Sequence, residues 1–202
     1  MALNISNFAK ALTNAGARSS MFDVELTGYI TERASGEGTD AKVATNATMA
    51  DINFACRATT FPGMTVTPIP VMYFGREVKT PGELEFADWT VTIMNDNNMK
   101  VRRFMEKWSA LINHHGDNII DDGTYISTSG GAWPWTGEAT VQQYNKTGVA
   151  TQLYTMKEIW PSSIDPIDMS YDSVGTIQEY GVTFSVNYWE HTTESDGVTA
   201  AT

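Results

Sequence analysis

The 202 residues suffice for one sizeable core, and a single domain over 1–202 is the expectation. The formal net charge of -11 leaves the chain without the basic footprint by which a groove grips nucleic acid. One cysteine rules out an intrachain disulfide framework, and no apolar run approaches the roughly 18 residues that span a membrane.

In chain order, Ile5, Phe8, Ala9 and Leu12 recur at helical spacing before Gly16. They predict a short amphipathic helix that needs a docking surface, and not a signal peptide. Phe22, Val24 and Leu26 alternate with Asp23 and Glu25, which predicts a strand. Residues 31–50 are small and polar and read as a long loop or exposed hairpin. Apolar alternation resumes through Ile52, Phe54, Cys56 and Ala58, and Pro62-Gly63 marks a turn. Residues 65–79 are extended, with Pro68 and Pro70 demoting them to an edge or bulged strand.

Residues 85–94 predict a strand with Trp89, Val91 and Ile93 on one face and Thr90 and Thr92 on the other. Residues 99–113 predict a helix, because Val101, Phe104, Met105, Trp108, Leu111 and Ile112 form an apolar stripe. Its polar side carries Lys100, Arg102, Arg103 and Lys107, and Gly116 is placed to end it. Residues 121–137 form a second Gly-rich loop. Strands follow at 138–145 and 151–160. The last strand runs from Tyr180 to Tyr188, and the tail 191–202 is expected to fray. The sum is a mainly β chain, an antiparallel barrel or sandwich with one long helix.

Candidate chemistry is sparse. A calcium loop starting at Asp96 would need glycine at its sixth position and glutamate at its twelfth. Those positions hold Val101 and Lys107, so Asp96 and its Asn neighbours read as a helix cap. Adjacent His114 and His115 diverge by about 100° on a helix and cannot chelate together; His191 lies in the polar tail. Asp165, Asp168 and Asp172 match no metal-loop spacing and read as a solvated turn. Cys56 reads as a small core residue. No nucleophile elbow, zinc helix or phosphate loop occurs, so neither an enzyme nor a cofactor is expected.

Two blocks resemble the tail tube proteins of contractile-tailed bacteriophages. The first spans Phe54 to Trp108 and contains FACRAT, FPG, PIPV and FADWTVTIMND, then a helix bearing Phe104 and Trp108. The second joins Ile159-Trp160-Pro161 to a terminal strand ending Asn187-Tyr188-Trp189-Glu190. Trp89, Asp96, Trp108, Trp160, Pro161, Tyr188 and Trp189 carry the match, with 31–50 and 121–137 as insertions.

The resemblance implies a barrel or sandwich with a flanking helix. It implies hexameric rings stacked into a hollow tube within a contractile sheath, assembled in the host cytoplasm as part of the virion. Partners would be further copies of the chain, the sheath, baseplate and tail terminator proteins. DNA would pass through the lumen without specific binding, and no membrane insertion is implied. The alternative is a tube of a phage-derived injection system carrying protein effectors. Glu77, Glu83, Glu85 and Asp88 are the candidate lumen-facing acids.

Overall fold

Period-two alternation sorts the strands of the body into a buried and an exposed face. The computed structural model describes residues 17–27, 55–113, 116 and 135–192. The expected N-terminal helix, the segments 31–50 and 121–134, the pair His114-His115 and the chain beyond 192 lie outside the described residues.

The elements are β1 (Phe22–Thr27), β2 (Cys56–Thr59), β3 (Met64–Tyr73), β4 (Arg76–Phe86), β5 (Trp89–Met94), α1 (Lys100–Ile112), β6 (Gly137–Tyr144), β7 (Ala150–Ile164), β8 (Glu179–Ser185) and β9 (Tyr188–Thr192). Seven strands form one antiparallel sheet in the order β1-β6-β7-β8-β5-β2, with β9 also paired to β7. Among the described residues β1 and β2 stand at the two ends of this order, so the sheet is open rather than a closed barrel.

Strand β7 turns the corner of the sheet. Up to Ile159 it pairs with β6, with β9 along its other edge, and from Trp160 it pairs with β8. Just before the change of partner, at the irregularity between Met156 and Ile159, lies Glu158 at a φ of 53°, a left-handed conformation that non-glycine residues seldom adopt. The bend lets both halves share one core. Val24, Leu26, Ala139, Val141 and Met156 come from one half, and Trp89, Val91, Ile93, Val182 and Phe184 from the other. Helix α1 adds Val101, Phe104, Met105 and Trp108 to it.

The entry to α1 confirms the capping chemistry. The Asp96 carboxylate accepts the backbone N–H of Lys100 at 2.9 Å, and the Asp96 carbonyl accepts that of Met99 at 3.0 Å. Met99 itself is left-handed, at a φ of 51°, and caps nothing with its side chain. Asp96→Ala should therefore lower stability by about 1 kcal/mol in thermal denaturation, with Asp96→Asn close to the parent. Equal stability of the alanine variant and the parent would show that the carboxylate is dispensable.

Several boundaries differ from the sequence reading. The extended run expected over 65–79 turns back on itself at Phe74-Gly75 and splits into β3 and β4. The predicted strand 85–94 is broken at Ala87 and Asp88, because the chain leaves one sheet there and enters another. The run Tyr180 to Tyr188 is likewise broken after Ser185, and Tyr188 opens β9 instead of ending β8. His191 and Thr192, expected to fray, are held in β9 opposite Tyr154 and Leu153. Helix α1 ends in extended Asn113, so Gly116 does not terminate it.

Candidate assembly surface

Strands β3 and β4 form a two-stranded sheet of their own, apart from the seven-stranded body. An isolated two-stranded hairpin is marginal in water, so its base needs anchoring. Thr60 to Gly63 supply the anchor. The buried Trp89 donates its indole N–H to the Thr60 carbonyl at 2.9 Å. The Gly63 carbonyl accepts both the Ala87 backbone N–H at 3.0 Å and the Trp189 indole N–H at 3.3 Å. Pro62 between them is buried, Phe61 packs on Tyr154, and Phe86 meets Trp189 edge-on.

Beyond this base the hairpin is bare. Ile69, Val71, Met72, Tyr73, Phe74, Val78 and Leu84 are all exposed, and the outer edges of β3 and β4 have no partner strand among the described residues. The hairpin closes through Phe74 and Gly75, both at positive φ (46° and 75°), with Tyr73 opposite Arg76. That is the geometry of a two-residue turn matched to strand twist.

A bulge divides the hairpin's acids. Val66 pairs with Leu84 but Pro68 pairs with Pro81, so β4 carries one extra residue at Gly82–Glu83. One extra residue reverses the facing of everything beyond it. Glu77 and Lys79 therefore share a face with Leu84 and Phe86, the face turned at its base toward Trp189. Glu85 lies on the opposite face with Thr65 and Thr80, and Glu83 belongs to the bulge beside it. Glu77, Glu83, Glu85 and Asp88 are all exposed, and Asp88 sits in the link between β4 and β5. The four acids thus do not form one array.

The remaining sequence candidates have structural surroundings. Asp165, Asp168 and Asp172 are exposed in the irregular segment between β7 and β8. Among the described residues no cluster of His, Cys, Asp and Glu could hold a metal ion. On the helix's polar side, Arg102 donates to the Asp165 carbonyl at 3.0 Å, pairs with Glu106 at 2.9 Å and covers the Tyr180 ring at 5.2 Å. It pins the helix to the start of that segment. The Tyr180 hydroxyl is pushed up to about 12, by burial first.

Cys56 is half-buried at the core margin, its thiol pushed up to about 11 by burial and then by Asp23. Trp160 packs edge-on against Trp135, and Pro161 is buried beside it. His191 bonds Gln152 and stacks on Tyr154.

Sequence reasoning allowed an edge or bulged strand at Pro68 and Pro70, but it did not place the extra residue at Gly82–Glu83 and it missed the apolar exposure. A glycine inside a strand signals a bulge, and Gly82 was that signal. The exposure had none, since apolar residues on both faces read the same whether buried or bare.

Comparisons with known proteins agree with this architecture. A family model described as phage tail tube protein matches residues 17–194. The tail tube protein gp19 of Enterobacteria phage T4 is 30% identical over 141 residues, covering 69% of this chain and 82% of that protein. In fold, the chain resembles the tube-terminating cap of the anti-feeding prophage, with a TM-score of 0.57 at 13% identity, covering 88% of this chain and 91% of that one. It also resembles a protein of the extended sheath–tube complex of an extracellular contractile injection system, with a TM-score of 0.55 at 12% identity, covering 92% and 97%.

Proposed function

The chain belongs to the phage tail tube protein family, as a tail tube protein of contractile-tailed phages, and from that premise we propose that copies of it close into hexameric rings and stack into the conduit for the genome. The observation that carries this reading is the projecting hairpin. Bare edges and exposed apolar faces invite strand pairing and burial by another copy. A ring closed by one repeated contact satisfies every copy at once. The role is structural, one domain per copy, and assembly precedes incorporation into the virion in the host cytoplasm. Sheath, baseplate and tail terminator proteins are the expected partners of the finished tube.

Charge fits a conduit. Six copies carry a formal 6 × -11 = -66 per ring. Duplex DNA carries one charge per ~1.7 Å of axis, so a basic wall would hold it through counterion release. An acidic wall lets it slide. We take Glu83 and Glu85 as the wall acids; this choice is supported by the bulge, which separates them from Glu77 on the face turned at its base toward Trp189.

Negative-stain images of purified protein should show six-fold rings and tubes; persistent monomers would refute the assembly. Tubes should let duplex DNA elute at moderate salt. Tubes with Glu83→Lys and Glu85→Lys should retain it, with retention falling steeply as salt rises. Glu77→Lys should change retention far less. Equal retention by the Glu77 variant would overturn the facing assigned to these acids. The phage reading is favoured over an effector-carrying tube by the 30% identity to the T4 tube protein.

A further inference from the structure

The barest large apolar side chains among the described residues gather in two places. One is the hairpin end, with Met72, Tyr73 and Phe74. The other is the segment between β7 and β8, with Met169 (74% exposed), Tyr171 (107%), Val174 (89%) and Ile177 (67%). The next barest, Met64, is 57% exposed.

Each place carries the charge that the other lacks. The hairpin end has Arg76 and Lys79 against a single acid, Glu77. The segment has Asp165, Asp168 and Asp172, and no lysine or arginine occurs from 158 to 192.

Both places are preformed, which lowers the entropic cost of association. Ser173 donates its backbone N–H to the Ser170 carbonyl at 3.2 Å, Asp172 to the Ser170 hydroxyl at 3.2 Å and Val174 to the Asp172 carbonyl at 3.0 Å. These turns hold Tyr171 and Val174 outward, and Arg102 fixes the start of the segment. At the hairpin end, Phe74 occupies a left-handed turn position that favours Asn, Asp or Gly. It is 91% exposed there. Within one copy a phenylalanine at that position is strained, and it meets edge-on the ring of its exposed neighbour Tyr73. Retained strain of this kind points to a contact made elsewhere.

We propose that the hairpin end of one copy docks on the 165–178 segment of a second copy, Phe74 packing on Tyr171 and Val174 while Arg76 and Lys79, on opposite faces of the hairpin, reach Asp168 and Asp172 from either side of its tip. The proposal rests on the self-assembly reading and names the surface that receives the hairpin. The two halves are different patches, so the contact is head-to-tail. Such contacts generate rings when the rotation closes and stacks when it does not.

Phe74→Cys and Tyr171→Cys chains, purified separately, mixed, assembled and mildly oxidised, test it. Cys56, half-buried and poorly ionised, is the only native thiol. Assembled mixtures should give disulfide-linked dimer at least roughly tenfold above either variant alone, because docking raises the effective thiol concentration. Rings that form while the mixture yields no more dimer than the single variants would overturn the docking and leave the self-assembly reading standing. Wild-type protein that forms no rings would overturn both. Charge reversal gives a second arm. Arg76→Glu with Lys79→Glu should block assembly, as should Asp168→Lys with Asp172→Lys, and the four changes together should restore it. All four side chains are exposed, so circular dichroism of the protomers should not change. Failure of the combined chain to regain rings would count against the pairing.

Discussion

Trp108→Ala will lower the free energy of unfolding by about 3–5 kcal/mol, a large fraction of the roughly 5–15 kcal/mol by which a domain is stable. The side chain is 1% exposed and sits where helix meets sheet, its ring 5.9 Å from both Phe104 and Phe184. Its indole N–H donates to the Trp135 carbonyl at 2.8 Å. Alanine leaves a cavity at the centre of the core and removes a buried donor from that carbonyl. Both losses fall on the folded state alone. Trp108→Phe keeps most of the volume and should cost roughly half as much, mainly through the lost hydrogen bond. Denaturant unfolding followed by circular dichroism separates the two variants. A midpoint for the alanine variant within error of the parent would mean that the helix does not pack as described.

Gly82→Ala, by contrast, should spare the core and abolish tubes. A Cβ on Gly82 would lie well inside contact distance of the Thr67 carbonyl and 2.8 Å from Ile69 Cγ1. One obstacle is backbone and cannot rotate away. The hairpin has to open at its bulge, at an overpacking cost of about 1–3 kcal/mol. Each ~1.4 kcal/mol is a factor of ten in the population of paired hairpin. The hairpin is a separate sheet, so the melting temperature of the body should move by less than about 2 °C. Tube yield in negative stain should drop at least roughly tenfold. Normal tubes from Gly82→Ala would show that the bulged register is not needed for assembly.

Where one face is buried, the sequence could be read directly. Val24 and Leu26 of β1, Trp89, Val91 and Ile93 of β5, and Val101, Phe104, Met105 and Trp108 of α1 all point inward as their periodicity demands. The break at Ala87 and Asp88 was readable too. Leu84 and Phe86 put apolar residues at even positions, while Trp89, Val91 and Ile93 put them at odd ones, and that change of phase marks where the chain changes sheets. The break after Ser185 was hidden, because Tyr180, Val182, Phe184, Val186 and Tyr188 keep one phase across it. The assembly surface was the least legible part. Register between β3 and β4 depends on a single inserted residue, and alternation alone cannot say which of two apolar faces meets solvent.

The anchor of the hairpin also sets a clock. Gly63 and its indole donor, Trp189, are 126 residues apart in the chain. At the usual pace of synthesis, about 5–20 residues per second, roughly 6–25 s separate them on the ribosome. Until then the apolar hairpin is tied at its base only by nearer residues such as Trp89 and Ala87. A nascent chain thus gains its full hold on the hairpin only once Trp189 has been made, long after the hairpin itself has left the ribosome.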